Sequence, residues 1–194
     1  MATIGVLAIQ GDFLEHRQML ERLGSVVLEV RTRNELDKVD GLIIPGGEST
    51  TIVQLLDIFD MRDHLVNLVK NGMPIWGTCA GMIVLANSLT DHRPNPLKLM
   101  DINVTRNAFG RQVDSFEAAL EIDEVDGQSY KAIFIRAPIV NSVGPNVRVI
   151  SRLNDGRPVA VRENHMLATA FHPELTLDHR IHQMFLGMVE ETRR

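Results

Sequence analysis

Apolar positions follow two rhythms along the chain. In the first half, short unbroken apolar runs alternate with stretches in which apolar residues recur every three or four positions. "TIGVLAIQ", "VVLEV" and "GLIIP" (Gly41 to Pro45) are of the unbroken kind, which predicts strands buried on both faces of a sheet. Between the first two, Phe13, Leu20 and Leu23 fall at helical spacing. Asp12, with Glu15 three residues on, reads as a capping box at the start of that helix, and Gly24 reads as its stop. After the turn "GGES", Ile52, Leu55, Leu56 and Phe59 repeat with helical period, and a second helix over about 61–71 precedes the next strand.

Strand and helix in alternation imply a parallel sheet covered on both faces by right-handed crossovers, with ligands bound at the carboxyl ends of the strands. From about Asp101 the rhythm changes. "INVTR", "FEAALEI", "AIFIRA", "VRVISRL", "PVAVRE" and "MLATAF" are strand-like, with little helix between them, so an antiparallel or mixed extension is expected. The last two of these pair as a hairpin turning at Glu163 to His165. The closing helix carries Ile181, Met184, Phe185, Met188 and Val189 on one stripe, a core-packing pattern. "TDHRPNPLK" is the most loop-like stretch and is expected on the surface. The expected fold is an α/β single domain over residues 1–194: a central, mostly parallel sheet flanked by helices on both faces, with the antiparallel or mixed extension added.

Composition narrows the partners. Hydrophobic residues make up 44% and charged residues 23% of 194, an ordinary globular balance. A net charge of -5 without any lysine or arginine cluster argues against nucleic acid and anionic membrane surfaces. No run approaches the roughly 20 apolar residues of a membrane span, and the N-terminal run lacks the flanks of a signal peptide. One cysteine makes no internal disulfide and no zinc site by itself. A cytoplasmic protein is the simplest reading.

That cysteine, Cys79, sits in "PIWGTCAGMIVLA" between Gly77 and Gly81. A free cysteine is commonly a small buried hydrophobe. "GTCAG", however, also fits the elbow that presents a nucleophile on a tight turn between strand and helix. "PIW" can end the strand and "AGMIVLANS" can begin the helix. A helix N-terminus favours a thiolate there, and the Ala80 N–H offers half of an oxyanion hole. The glycine turn "IIPGGEST" on a neighbouring strand could supply the other half, because Gly46 and Gly47 leave a backbone N–H unobstructed. A nucleophile also needs a base and an orienting group. Of seven histidines, His172 in "AFHPEL" follows a strand and has Glu174 two positions on. In an extended segment these point the same way, so Glu174 can hold one imidazole nitrogen while the other faces Cys79. His179 and His182 read as surface or helix-end residues, and His16, His64, His92 and His165 as surface residues of helices or loops.

"GTCAG" with "FHPE" resembles the class I, or triad, glutamine amidotransferases. "AIQGDFLEH", "PGGEST", "RNAFGRQVDSFEA" and "FIRAP" narrow the resemblance to the glutaminase subunits of pyridoxal 5'-phosphate synthases, and together the blocks run from residue 4 to about 180. The resemblance implies a flavodoxin-like amidotransferase fold and hydrolysis of L-glutamine to glutamate and ammonia through a Cys79 thioester. It gives His172 the role of base and then acid, and Glu174 that of orienting partner. It places Gly47 and Ala80 in the oxyanion hole, and Gly46, Gly47, Glu48, Arg106, Ile135 and Arg136 on the glutamine. It implies no cofactor and no metal. The implied partner is a (β/α)8-barrel synthase subunit in a large hetero-oligomer, whose docking activates the glutaminase by reorienting the "PGGES" loop, with Gln10 to Asp12 near the docking face. Three other readings compete: a cysteine hydrolase of the broader elbow type, an amidotransferase serving another pathway, and a degenerate, non-catalytic binding module. The first lacks "FHPE", the second lacks "RNAFGRQ", and the intact Cys79, His172 and Glu174 speak against the third.

Overall fold

The computed structural model describes residues 2–106 and 115–193. Its first half alternates as the apolar rhythm predicts: β1 (Thr3–Leu7), α1 (Phe13–Arg22), β2 (Val26–Val30), α2 (Arg33–Leu36), β3 (Gly41–Ile44), α3 (Ser49–Ile58), α4 (Arg62–Lys70), β4 (Ile75–Thr78) and α5 (Ala80–Leu85). The second half is strand-rich: β5 (Ala86–Leu89), β6 (Met100–Thr105), β7 (Ser115–Leu120), β8 (Tyr130–Ile135), β9 (Ile139–Val143), β10 (Arg148–Arg152), β11 (Pro158–Glu163) and β12 (Met166–Thr169). A 3-10 turn at Pro173–Leu175 and α6 (Arg180–Thr192) close the chain.

A seven-stranded sheet runs in the order β10-β11-β12-β4-β3-β1-β2. From β12 to β2 its neighbours are parallel, while β11 and β10 are added antiparallel at one edge. Every residue of β3, β4 and β12 is buried, as expected of central strands covered on both faces. The β11–β12 hairpin turns at Asn164 and His165, inside the predicted span. A three-stranded sheet β5-β6-β9 and the β7-β8 pair form the mixed extension. The buried apolar side chains of all these elements join in one cluster, with Trp76 of β4 wholly enclosed.

Three local expectations change, and two short elements are added. The helix expected after Cys79 stops at Leu85, because Ala86 turns to an extended conformation and begins β5 beside β6. α2 and β9 are not evident in the apolar pattern, being short and flanked by polar residues. The "TDHRPNPLK" stretch is irregular as expected, but Pro94, Pro96 and Leu97 are buried rather than on the surface. Asp12 stands before α1 without capping it through its side chain. Most of "RNAFGRQ" lies outside the described residues.

Candidate active site

Register sets the site. Gly77 of β4 pairs with Ile44 at the end of β3 and with Ala168 of β12, so these three central strands end almost level. The segments leaving these strands therefore meet at their carboxyl ends: the Gly46–Gly47 turn after β3, Cys79 after β4, and His172 after β12.

Cys79 turns the chain from β4 into α5 with φ 48° and ψ −102°, a conformation that a residue with a Cβ adopts only when its surroundings impose it. The surroundings do so at two glycines. A Cβ on Gly77 would stand 2.4 Å from the carbonyl carbon of Gly81, and one on Gly81 would stand 2.2 Å from the Ile44 carbonyl oxygen. The Cys79 N–H donates to the Thr169 carbonyl at 2.8 Å, and the Cys79 carbonyl accepts from Met82 N–H at 3.1 Å. The thiol lies 3.8 Å from the Ile135 carbonyl oxygen and Cys79 as a whole is only 7% exposed, so the elbow presents it to a cavity rather than to bulk water.

His172 is held by its own backbone N–H, which donates to the Ile133 carbonyl at 2.8 Å. Its ring lies over Gly46, where a Cβ would come within 2.5 Å of Cε1. Nδ1 stands 2.7 Å from Glu174 Oε1, and the Glu174 carboxylate is fully buried. The pair meets for a reason other than the one expected: Pro173–Leu175 is a 3-10 turn, not an extended segment, and this turn folds the carboxylate back onto the ring. A carboxylate acceptor puts a proton on Nδ1 and leaves Nε2 for the cavity side. Burial by itself lowers the proton affinity of His172. Hydrogen bonds to Cys79 and Glu174, and the charges of both, outweigh it, and the imidazole is pushed up to about 10. Burial also pushes the Glu174 carboxyl up, against the opposing pull of His172.

The glycine turn is tied to the loop after β1. Gly46 carbonyl accepts from Asp12 N–H at 3.0 Å, and Glu48 N–H donates to Gln10 Oε1 at 2.8 Å. Gly47, at φ +150°, has no room for a Cβ, which would meet Gln10 Oε1 at 2.5 Å. Glu48 caps α3 by accepting from Thr50 N–H and pairs with Arg106 at 2.9 Å. Asp12 Oδ2 lies 3.8 Å from His172 Nδ1, and burial raises its carboxyl above the usual range although His172 opposes this.

A cavity of about 290 Å³ joins these parts. Cys79, Ala80, His172 and Gly47 line one part of its wall, and Glu48, Arg106, Ile135 and Arg136 line another. Of the sequence candidates, Gly46 sits beneath the imidazole and Glu174 behind it. Gln10, Asp12, Ser49 and Ile83 complete the lining; none of these four was a site candidate in the sequence. Asp12, His172 and Glu174 each bring a donor atom within 4.8 Å of the others, a grouping able to hold a cation, but an ion there would have to displace the 2.7 Å His172–Glu174 bond.

Two histidines read as surface residues are buried. His16 and His182 are both 0% exposed and lie against Trp76, behind Glu174. The signal was available: Phe13, His16 and Leu20 share one face of α1, and His182, Phe185 and Val189 share one face of α6.

An elbow thiol, an imidazole backed by a buried carboxylate and a parallel sheet that sets both at its carboxyl edge are the parts of an elbow-type cysteine enzyme. The profile of the SNO glutamine amidotransferase family matches residues 6–191, and the chain belongs to that family. It is 56% identical over 189 residues, 96% of this chain and 97% of the relative, to a "Pyridoxal 5'-phosphate synthase subunit PdxT" of Dehalococcoides mccartyi. It is 53% identical over 188 residues, 96% of each, to the protein of that name from Mycobacteroides abscessus. A crystal structure of a glutamine amidotransferase superposes with TM-score 0.91 at 45% identity, covering 96% of this chain and 98% of that one. A GMP synthase subunit from Thermoplasma acidophilum shares the fold at TM-score 0.71 and 18% identity, covering 100% of this chain and 96% of that one. Among the described residues no helix is long and apolar enough to cross a membrane.

Proposed function

We propose that the chain is the glutaminase subunit of a pyridoxal 5'-phosphate synthase, hydrolysing L-glutamine and delivering ammonia to a synthase subunit for vitamin B6 synthesis. One observation carries this: the only thiol of the chain lines a partly open cavity together with an imidazole whose far nitrogen is 2.7 Å from a buried carboxylate.

The Cys79 sulfur attacks the side-chain carbonyl carbon of glutamine, and His172 takes the thiol proton. Negative charge gathers on the carboxamide oxygen, where the Ala80 N–H, first in α5 and so without an intrahelical acceptor, can receive it. Gly47 N–H is the second donor. His172 then returns the proton to the departing nitrogen, the C–N bond breaks, and ammonia leaves a γ-glutamyl thioester. Water, deprotonated by His172, opens the thioester to glutamate and restores the thiol. Arg106 and the Arg136 segment hold the amino acid end, with Arg106 suited to the carboxylate by its bidentate fork, Glu48 and Ile135 complete the pocket wall, and Gly46 seats the imidazole.

The partner is a (β/α)8-barrel synthase subunit in a large hetero-oligomer, and the setting is cytoplasmic. The Gly46–Asp12 and Glu48–Gln10 hydrogen bonds support activation by docking. They fix the glycine turn to the loop after β1, so a partner pressing on Gln10 to Asp12 can change the direction in which the Gly47 N–H points. Ammonia release from glutamine, measured with and without the synthase subunit, tests the reading. Cys79→Ala should abolish release, by about 10⁴-fold or more, while still binding the synthase. A wild type inert in both settings, or an active alanine variant, would overturn it.

A further inference from the structure

Behind Glu174 lies a buried polar chain that touches neither the cavity nor the thiol. His182 Nε2 is 3.0 Å from His16 Nδ1, and His16 Nε2 is 3.1 Å from Thr78 Oγ1 and 3.3 Å from Glu174 Oε2. Thr78 immediately precedes the elbow cysteine. Trp76 lies edge-on to both imidazoles, 5.5 Å and 4.9 Å between ring centres, which seals them from water. Two imidazoles in such a place lose hydration and keep only what they find in each other and in Thr78, so their arrangement has few degrees of freedom.

The hydrogen-bond partners fix which nitrogens carry protons. Burial lowers the proton affinity of both rings, so each carries one N–H. His182 Nδ1 is buried and has no hydrogen-bond partner among the described residues. If that nitrogen carried the proton, an N–H would be left unpaired in the core, the costlier kind of orphan. The proton therefore sits on His182 Nε2 and is donated to His16 Nδ1. This forces the His16 proton onto Nε2, where it faces Thr78 Oγ1 and Glu174 Oε2. Oε2 is the carboxylate oxygen that His172 leaves free, and among the described residues it has no aligned hydrogen bond. A protonated Oε2 would set O–H against N–H.

We propose that His16 is a positioning residue for Glu174: held in one tautomer by His182, it keeps an N–H, donated to Thr78 Oγ1, within 3.3 Å of Oε2, and so keeps the carboxylate ionised and turned toward His172. This rests on the glutaminase reading above. The groups facing Glu174 are His172 on its own turn, His16 of α1, Asp12 before α1 and Tyr130 of β8, with Cys79 beyond His172 and His182 of α6 beyond His16. Of these, His16 is the one that approaches Oε2 with an N–H. Asp12 acts in the opposite sense, because its charge favours a protonated Glu174.

The test uses the full chain with its synthase subunit, after wild-type hydrolysis has been shown to depend on Cys79, so that failure of the underlying reading is seen separately. Profiles of kcat and KM for glutamine against pH are recorded for His16→Leu, His16→Gln and His182→Phe, with thermal midpoints to confirm folding. His16→Leu should lower kcat about tenfold with KM little changed, and move the acid limb of the kcat profile up by about one pH unit. His16→Gln, whose amide nitrogen can stand where Nε2 stood, should return the limb toward wild type. His182→Phe should shift it the same way by less. If His16→Leu does not fold, the other two variants decide. A folded His16→Leu or His182→Phe with the wild-type limb, or a uniform loss at every pH that glutamine at position 16 does not repair, would overturn the proposal.

Discussion

The two sides of the His172 ring are built on opposite terms. Toward the cavity stand a thiol, backbone donors and the Glu48–Arg106 pair, groups that can exchange one partner for another as a substrate enters. Toward the core stand Glu174, His16 and His182, closed in by Trp76 and without such freedom. The cavity side has to tolerate change during a reaction, whereas the core side has to resist it. Geometry held by a dry, fully packed network is what lets a single imidazole pass one proton back and forth without wandering.

Three experiments probe that contrast, beginning with the largest effect. Gly46→Ala adds one carbon that would come within 2.5 Å of the His172 ring, so the ring must move off its line between thiol and carboxylate. We expect kcat for glutamine to fall about 100-fold with the fold intact, measured by ammonia release and circular dichroism. A normal rate would show that the ring's seat is not fixed from this side. Arg106→Leu removes a cavity-side cation paired with Glu48, and should raise KM by about tenfold while changing kcat less. A fall in kcat at unchanged KM would move Arg106 from binding to chemistry.

The third concerns pH and the core side. Burial holds His16 and His182 below the ordinary imidazole value of 6.5, with His182 at about 3. Between these limits the unfolded chain takes up protons that the folded chain refuses. Their share of stability is thus whole above pH 6.5 and drains as pH falls, by at most about 1.4 kcal/mol per pH unit for each ring. His172 acts in the other direction: raised to about 10, it adds stability that is full below 6.5 and lost as pH rises through 10. Urea midpoints at pH 6.5 and pH 5 should therefore show a clear loss in the wild type and about half of it in His182→Phe. Equal losses would mean that His182 is not kept neutral by the fold.

Legibility differed along the same divide. The elbow, the glycine turn and the "FHPE" segment could be read because backbone constraint shows in residue type: only glycine fits at 77 and 81, and a strand ending before each segment puts all three on one edge. The parallel strands could be read because burial on both faces leaves unbroken apolar runs. β5 and β9 could not, since their exposed positions interrupt the runs and their pairing depends on partners distant in sequence. His16 and His182 were missed because a polar residue on an apolar stripe looks like noise until a second one is found facing it. Asp12 looked like a helix cap, yet its side chain lies beside His172 instead, a choice made by the loop after β3 rather than by anything near it in the chain.

The joint under the thiol also limits what descent can do. A methyl on Gly5 would press on side chains of Leu42, Val30 and Val39, so a lineage could accept it by trimming one of them later. A methyl on Gly77 or Gly81 would press on main-chain atoms, which no neighbouring replacement can shorten. History can renegotiate the first kind of glycine through a second substitution; it has no such currency for the second.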